Sequence, residues 1–94
     1  MRCAMAKHIL VKTKDEAESL RLRLSRGEDF GKLARKYSTC PSKKRDGDLG
    51  EIYPGQLVKP IEDVIFKKPL LKVHGPIKSK FGFHLVVVYF RNSR

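Results

Sequence analysis

Nowhere does the chain hold an apolar run near the roughly 20 residues a membrane helix needs, so no membrane span is expected. The opening segment MRCAMAKHILVK carries a lysine inside its apolar stretch and lacks a signal-peptide core. It reads as an unexported chain, although a longer parent stripped of its targeting segment would look the same. Cysteine is scarce. Cys3 and Cys40 are too few for a disulfide framework, and free thiols fit a reducing, cytoplasmic setting. Repeats, low-complexity tracts and linkers are absent. Acids are missing from both ends: all ten lie between Asp15 and Asp63, where ten Lys and Arg balance them. The net charge of +11 therefore comes from four basic residues in 1–14 and seven in 64–94.

What is present suits one soluble globular domain over residues 1–94, expected as a monomer, with 40% hydrophobic and 33% charged residues. Its organising stretch is RDGDLGEIYPGQLVKPIEDVIF, from Arg45 to Phe66. Gly47 and Gly50 bracket Asp48-Leu49, and Tyr53-Pro54-Gly55 is a turn in which Pro54 fixes φ. Pro60 stands where a helix begins, because the first turn has no use for its missing N–H. Ile61, Val64 and Ile65 follow at helical spacing. That helix presents Leu57 and Ile61 as an apolar wall.

Before this stretch, Met5 to Val11 is a strand with Ile9 and Val11 on one face and His8 and Leu10 on the other. Thr13 and Glu16 form a capping box for a helix striped by Ala17, Leu20 and Leu24, which stops at Gly27. Asp29 caps a second helix carrying Phe30, Leu33, Ala34 and Tyr37 on one face. Ser38 to Arg45 has no periodicity and reads as a loop. Val73 to Pro76 reads as a turn. Ile77 to Phe90 is the longest β-like run, broken or bulged at Gly82. The order is β-α-α-β-α-β-β. Phe83 to Phe90 is apolar throughout, so it is expected as a central strand covered on both faces. The first strand is its natural neighbour, which would bring His8 and His84 together.

Three residues have the chemistry for a site. Cys40 sits beside Lys43, Lys44 and Arg45, a basic setting of the kind that activates a thiol, or it is an idle loop cysteine. His8 and His84, each inside an apolar strand, are either satisfied core residues or functional groups. No metal is expected, since these residues lack CxxC or HxxxH spacing and no fourth ligand is evident. A nucleophilic Cys–His pair lacks an orienting third group and an oxyanion hole.

HILVK at 8–12, DFGKLARKYS at 29–38, the Cys40 loop, RDGDLG at 45–50, GQLVKPIEDVIF at 55–66 and GPIKSKFGFHLV at 75–86 resemble the parvulin family of peptidyl-prolyl isomerases. The match runs from about Ala6 to Phe90 in the family's order and spacing. It is similar in size and layout to the small single-domain bacterial members and lacks the WW domain of Pin-type members. The resemblance implies an α+β, FKBP-like fold: a four-stranded antiparallel sheet surrounded by helices.

It further implies a cofactor-free isomerase of X-Pro bonds that assists protein folding. The family's paired histidines fall on His8 and His84, and its active-site cysteine on Cys40. Leu49, Leu57 and Ile61 would line the pocket for the substrate proline, with Phe81 at its edge. Ser79 occupies the place of a hydroxyl residue that neighbours the second histidine. Leu57 stands where methionine is common, and Ile61 where phenylalanine is common, which removes a ring from the pocket floor. Phosphate-directed members insert an arginine-bearing loop after the first strand. HILVKTKDEAES passes straight into the capped helix, so unphosphorylated X-Pro peptides are the expected substrates. Rotation needs no covalent bond, so Cys40 is expected to act on the carbonyl without attacking it. The basic chain ends imply a preference for acidic residues near the proline, with Lys78, Lys80 and Lys43 to Arg45 as contributors. Other classes remain: a basic nucleic-acid binder, suggested by pI ≈ 10.0 but lacking a stacking ladder or motif, and a peptide-binding chaperone module with little isomerase rate.

Overall fold

The computed structural model describes residues 2–92. Strand β1 (Cys3–Val11) leads into α1 (Lys14–Ser25) and α2 (Phe30–Tyr37), followed by a single 3-10 segment at Pro41–Arg45. Then come β2 (Asp48–Ile52), α3 (Lys59–Lys67), β3 (Val73–Ser79) and β4 (Gly82–Asn92). The four strands form one antiparallel sheet in the order β2-β1-β4-β3, the expected α+β architecture. Among the described residues, no helix is long and apolar enough to cross a membrane.

The helices start where their caps dictate. The Glu16 N–H donates to Thr13 Oγ1 at 3.2 Å, and the Thr13 hydroxyl is 3.2 Å from Glu16 Oε1. Asp29 Oδ2 accepts the Lys32 N–H at 2.9 Å. Helix α3 has no side-chain cap but carries Pro60 in its first turn. Its approach is fixed instead by the Tyr53–Gln56 turn: Gln56 Oε1 accepts the Tyr53 N–H at 2.8 Å, and Glu62 accepts the Gly55 N–H.

The sheet divides the core in two. Ala4, Ala6, Val86 and Val88 pack with Ile52 against Ile61, Ile65 and Phe66 of α3. Ile9, Val11 and Leu85 pack on the other face against Ala17 and Leu20 of α1 and Leu33 and Ala34 of α2. Strand β4 is central, between β1 and β3. Its cover runs out after Val88: beyond a register shift, Tyr89 and Phe90 are 36% and 47% exposed. A fully covered strand was expected, and the bulge releases its end to solvent.

Two further segments differ from the sequence reading. Ser38 to Arg45 is not all loop, because Pro41 starts the short 3-10 helix that ends at Asp46 in a left-handed conformation. Val73 to Pro76 is no turn but the first half of β3. A glycine–proline pair fits there because β3 is an edge strand and the ladder shifts register between His74 and Ile77. The break at Gly82 is a tight hairpin, with Ser79 paired to Gly82. Gly82 has φ +138°, and a Cβ there would lie 2.4 Å from the Val11 carbonyl oxygen. Only glycine lets the hairpin tip press onto the end of β1.

Candidate functional site

The site forms where β1 and β4 run side by side. His8 pairs with Val86 and Leu10 with His84, so both imidazoles project from one sheet face, two positions apart. The rings stack with centroids 5.3 Å apart and planes 22° from parallel. Both residues are buried, at 5% and 4% exposure. Burial, and secondarily the neighbouring His84, pushes His8 down from 6.5 to about 4. Burial pushes His84 down as well. Two like groups in one dry position are therefore both neutral at pH 7. His84 Nε2 shares a 2.6 Å hydrogen bond with the Ser79 hydroxyl, whose oxygen also accepts the Phe81 N–H at 3.1 Å. The Nδ1 atoms of both rings are buried without a hydrogen-bond partner among the described residues.

The cysteine loop is stitched to the same strand. Buried Ser38 accepts the Leu10 N–H at 3.0 Å and the Cys40 N–H at 3.3 Å through one oxygen. Thr39 returns its own N–H to the Leu10 carbonyl at 2.8 Å. Further along, the His8 N–H donates to the Gly47 carbonyl at 2.9 Å, and the Gly47 N–H to the Ser42 carbonyl at 2.9 Å. Gly47 has φ +81°, and a Cβ on it would meet the His8 carbonyl oxygen at 2.6 Å. The glycine therefore sets how closely this loop approaches His8.

These elements enclose a cavity of about 470 Å³. One wall is aliphatic, built from Leu49, Leu57, Val58 and Ile61. The opposite side carries His8, His84, Cys40, Pro41 and Leu10. Phe81, 60% exposed, stands at the mouth with Lys80. The structure thus brings His8, Cys40, His84, Leu49, Leu57, Ile61 and Phe81 around one space. Ser79 is not on the cavity wall; it stands behind His84 and holds it. Lys43, Lys44 and Arg45, expected beside the thiol, are exposed on the 3-10 segment and outside the lining. Lys78 is likewise exposed and off the wall. Sequence reasoning missed Val58, Gln56 and the buried Ser38. Gln56 and Val58 flank Leu57 beside the turn, but Ser38 gives no periodic signal, since its role depends on contacts 28 residues away.

Chemically, the arrangement can hold a compact apolar ring against aliphatic side chains. It sets a thiol and two neutral imidazoles opposite, and among the described residues no carboxylate joins them. Among the described residues, no cluster of His, Cys, Asp and Glu could hold a metal ion.

Comparison with known proteins identifies the family of the fold. Residues 5–89 match the family model described as Rotamase, PPIC-type PPIASE domain. The chain is 44% identical over 84 residues to the foldase protein PrsA of Geobacillus sp. (strain WCH70), covering 88% of this chain and 30% of that protein. It superposes on the solution structure of NmPin, the parvulin of Nitrosopumilus maritimus, with TM-score 0.86 and 40% identity, covering 96% of this chain and 98% of that one. CsPin, from the archaeon Cenarcheaum symbiosum, gives TM-score 0.82 and 43% identity over 93% of this chain and 91% of that one. The chain spans less than a third of the length of the PrsA relatives it matches.

Proposed function

Because the chain belongs to the PPIC-type (parvulin) peptidyl-prolyl isomerase family, we propose that it catalyses cis/trans isomerisation of unphosphorylated X-Pro bonds in polypeptides and so assists their folding. The carrying observation is the cavity itself, aliphatic on one side and faced by Cys40, His8 and His84 on the other.

The chemistry follows from the amide. Twisting a peptide C–N bond breaks its resonance and faces a barrier of roughly 18–20 kcal/mol. Proline already brings the two planar forms within about 1 kcal/mol, so only the rate needs help. A catalyst has to favour the twisted amide over both planar forms. Leu49, Leu57 and Ile61 grip the ring while the preceding carbonyl swings past Cys40. The thiol interacts with that carbonyl without attacking it. An unstrained amide is a poor electrophile, and rotation requires no new bond. The stacked histidines, fixed through Ser79, keep the surrounding hydrogen bonds in place.

The two-residue connection from Val11 to Lys14 supports the unphosphorylated substrate, because it leaves no room for a phosphate-binding loop. The test is a protease-coupled or exchange-NMR assay on a panel of X-Pro peptides. Acceleration of neutral and phosphate-free substrates is expected. Binding without acceleration would leave a peptide-binding module instead, and acceleration confined to phosphopeptides would overturn the substrate assignment.

A further inference from the structure

Among the described residues, Lys80 is the one formally charged side chain on the cavity wall, and no Asp or Glu joins it there. The ion pairs among the described residues engage Arg23, Arg35, Lys59 and Lys67, and none involves Lys80. Its ammonium rests 5.2 Å from the centroid of the Phe81 ring, which holds it at the mouth of the cavity. The hairpin that carries both residues is fixed in turn. Ser79 pairs with Gly82, and the Ser79 hydroxyl oxygen accepts the Phe81 N–H while bonding to His84. An unpaired cation is thus kept at a set position beside a wall that is otherwise apolar or neutral.

On the isomerase reading above, we propose that Lys80 is a specificity-determining residue that selects X-Pro bonds flanked by a carboxylate side chain, Asp or Glu. A proline seated in the cavity places its neighbouring residue at the mouth, where that carboxylate meets the ammonium. The site is partly open to water, so the preference is about twofold to fivefold in kcat/KM, the range of an exposed ion pair. Contact separates this from a general pull of the basic surface. Lys78 carries the same charge two residues away but lies off the cavity wall.

The test uses two peptide series, one varying the residue before proline and one the residue after it, each with Glu, Ala and Lys. Wild type, K80Q, K78Q and K80E are compared at low salt. The expected result is a Glu-over-Ala preference in at least one series that survives K78Q, disappears in K80Q and turns toward Lys in K80E. Equal kcat/KM for Glu and Ala peptides in both series overturns the proposal. So does an equal loss of preference in K78Q and K80Q, which would assign the effect to net charge. Absence of acceleration on the Ala peptides would count against the isomerase reading instead. Peptide affinities from NMR titration of the same panel would then decide the role of Lys80 by the same ratios.

Discussion

Mild acid should destabilise this protein through the buried histidine pair. In the unfolded chain His8 takes up a proton near its ordinary value of 6.5, whereas in the folded protein burial and His84 push it down to about 4. Below pH 6.5 the unfolded state therefore binds more protons than the folded one. The stability held at neutral pH drains away as pH falls, until His8 also protonates in the folded state near 4. Between about pH 7 and pH 5 the loss from this one residue amounts to roughly 2 kcal/mol, a large share of a typical total of about 5–15 kcal/mol. His84 shifts in the same direction and adds to it. The carboxylates of Glu28 and Asp63 lose their pairing only below their ordinary values of 4.5 and 3.8, so they leave this interval to the histidines. Urea unfolding followed by circular dichroism at both pH values gives the difference, and His8→Asn should remove most of it. NMR titration of the imidazole supplies a second reading on the folded protein. Equal wild-type stability at the two pH values, or a folded His8 that titrates near 6.5, would refute the reasoning.

Cys40→Ser should retain measurable isomerase activity, and mass spectrometry of the wild type with substrate should show no covalent adduct; a trapped adduct would reverse the role given to the thiol. Ser79→Ala leaves buried His84 Nε2 without its partner, so unfolding assays should register a loss of about 1–3 kcal/mol, accompanied by a drop in kcat/KM. Ile61→Phe adds apolar surface to the cavity wall, on the order of one buried CH₂, and should tighten peptide binding about threefold by calorimetry; weaker binding would mean the cavity is shaped around the aliphatic side chain. Gly47→Ala forces a Cβ against the His8 carbonyl oxygen and a left-handed backbone onto alanine, so its melting curve should show a loss of at least about 2 kcal/mol.

Much of this was legible in the chain because the signals were local. Thr13 and Asp29 announce two helices by what their side chains bond three residues on. The alternation around His8 and His84 sets the face each occupies. The parts that were not legible depend on partners far away in sequence. Gly75-Pro76 looks like a turn until an edge position gives it a strand to join. Tyr89 and Phe90 look as apolar as Val86, and only the bulge against β1 decides that they meet water. The cavity wall follows the same rule. Leu57 and Ile61 could be read from one helix and its turn, whereas Ser38 gains its role by bonding Leu10 across the sheet.

The pairing of β1 with β4 also has a kinetic side. It joins the first strand to the last, so the two histidines meet only by closing on the order of 75 residues, at an entropic cost near 4 kcal/mol. No nascent fragment ending before β4 contains both rings, however much helix it has formed. Catalytic competence should therefore switch on late and all at once during synthesis or refolding, and the appearance of turnover becomes a clock for the final strand snapping into the sheet.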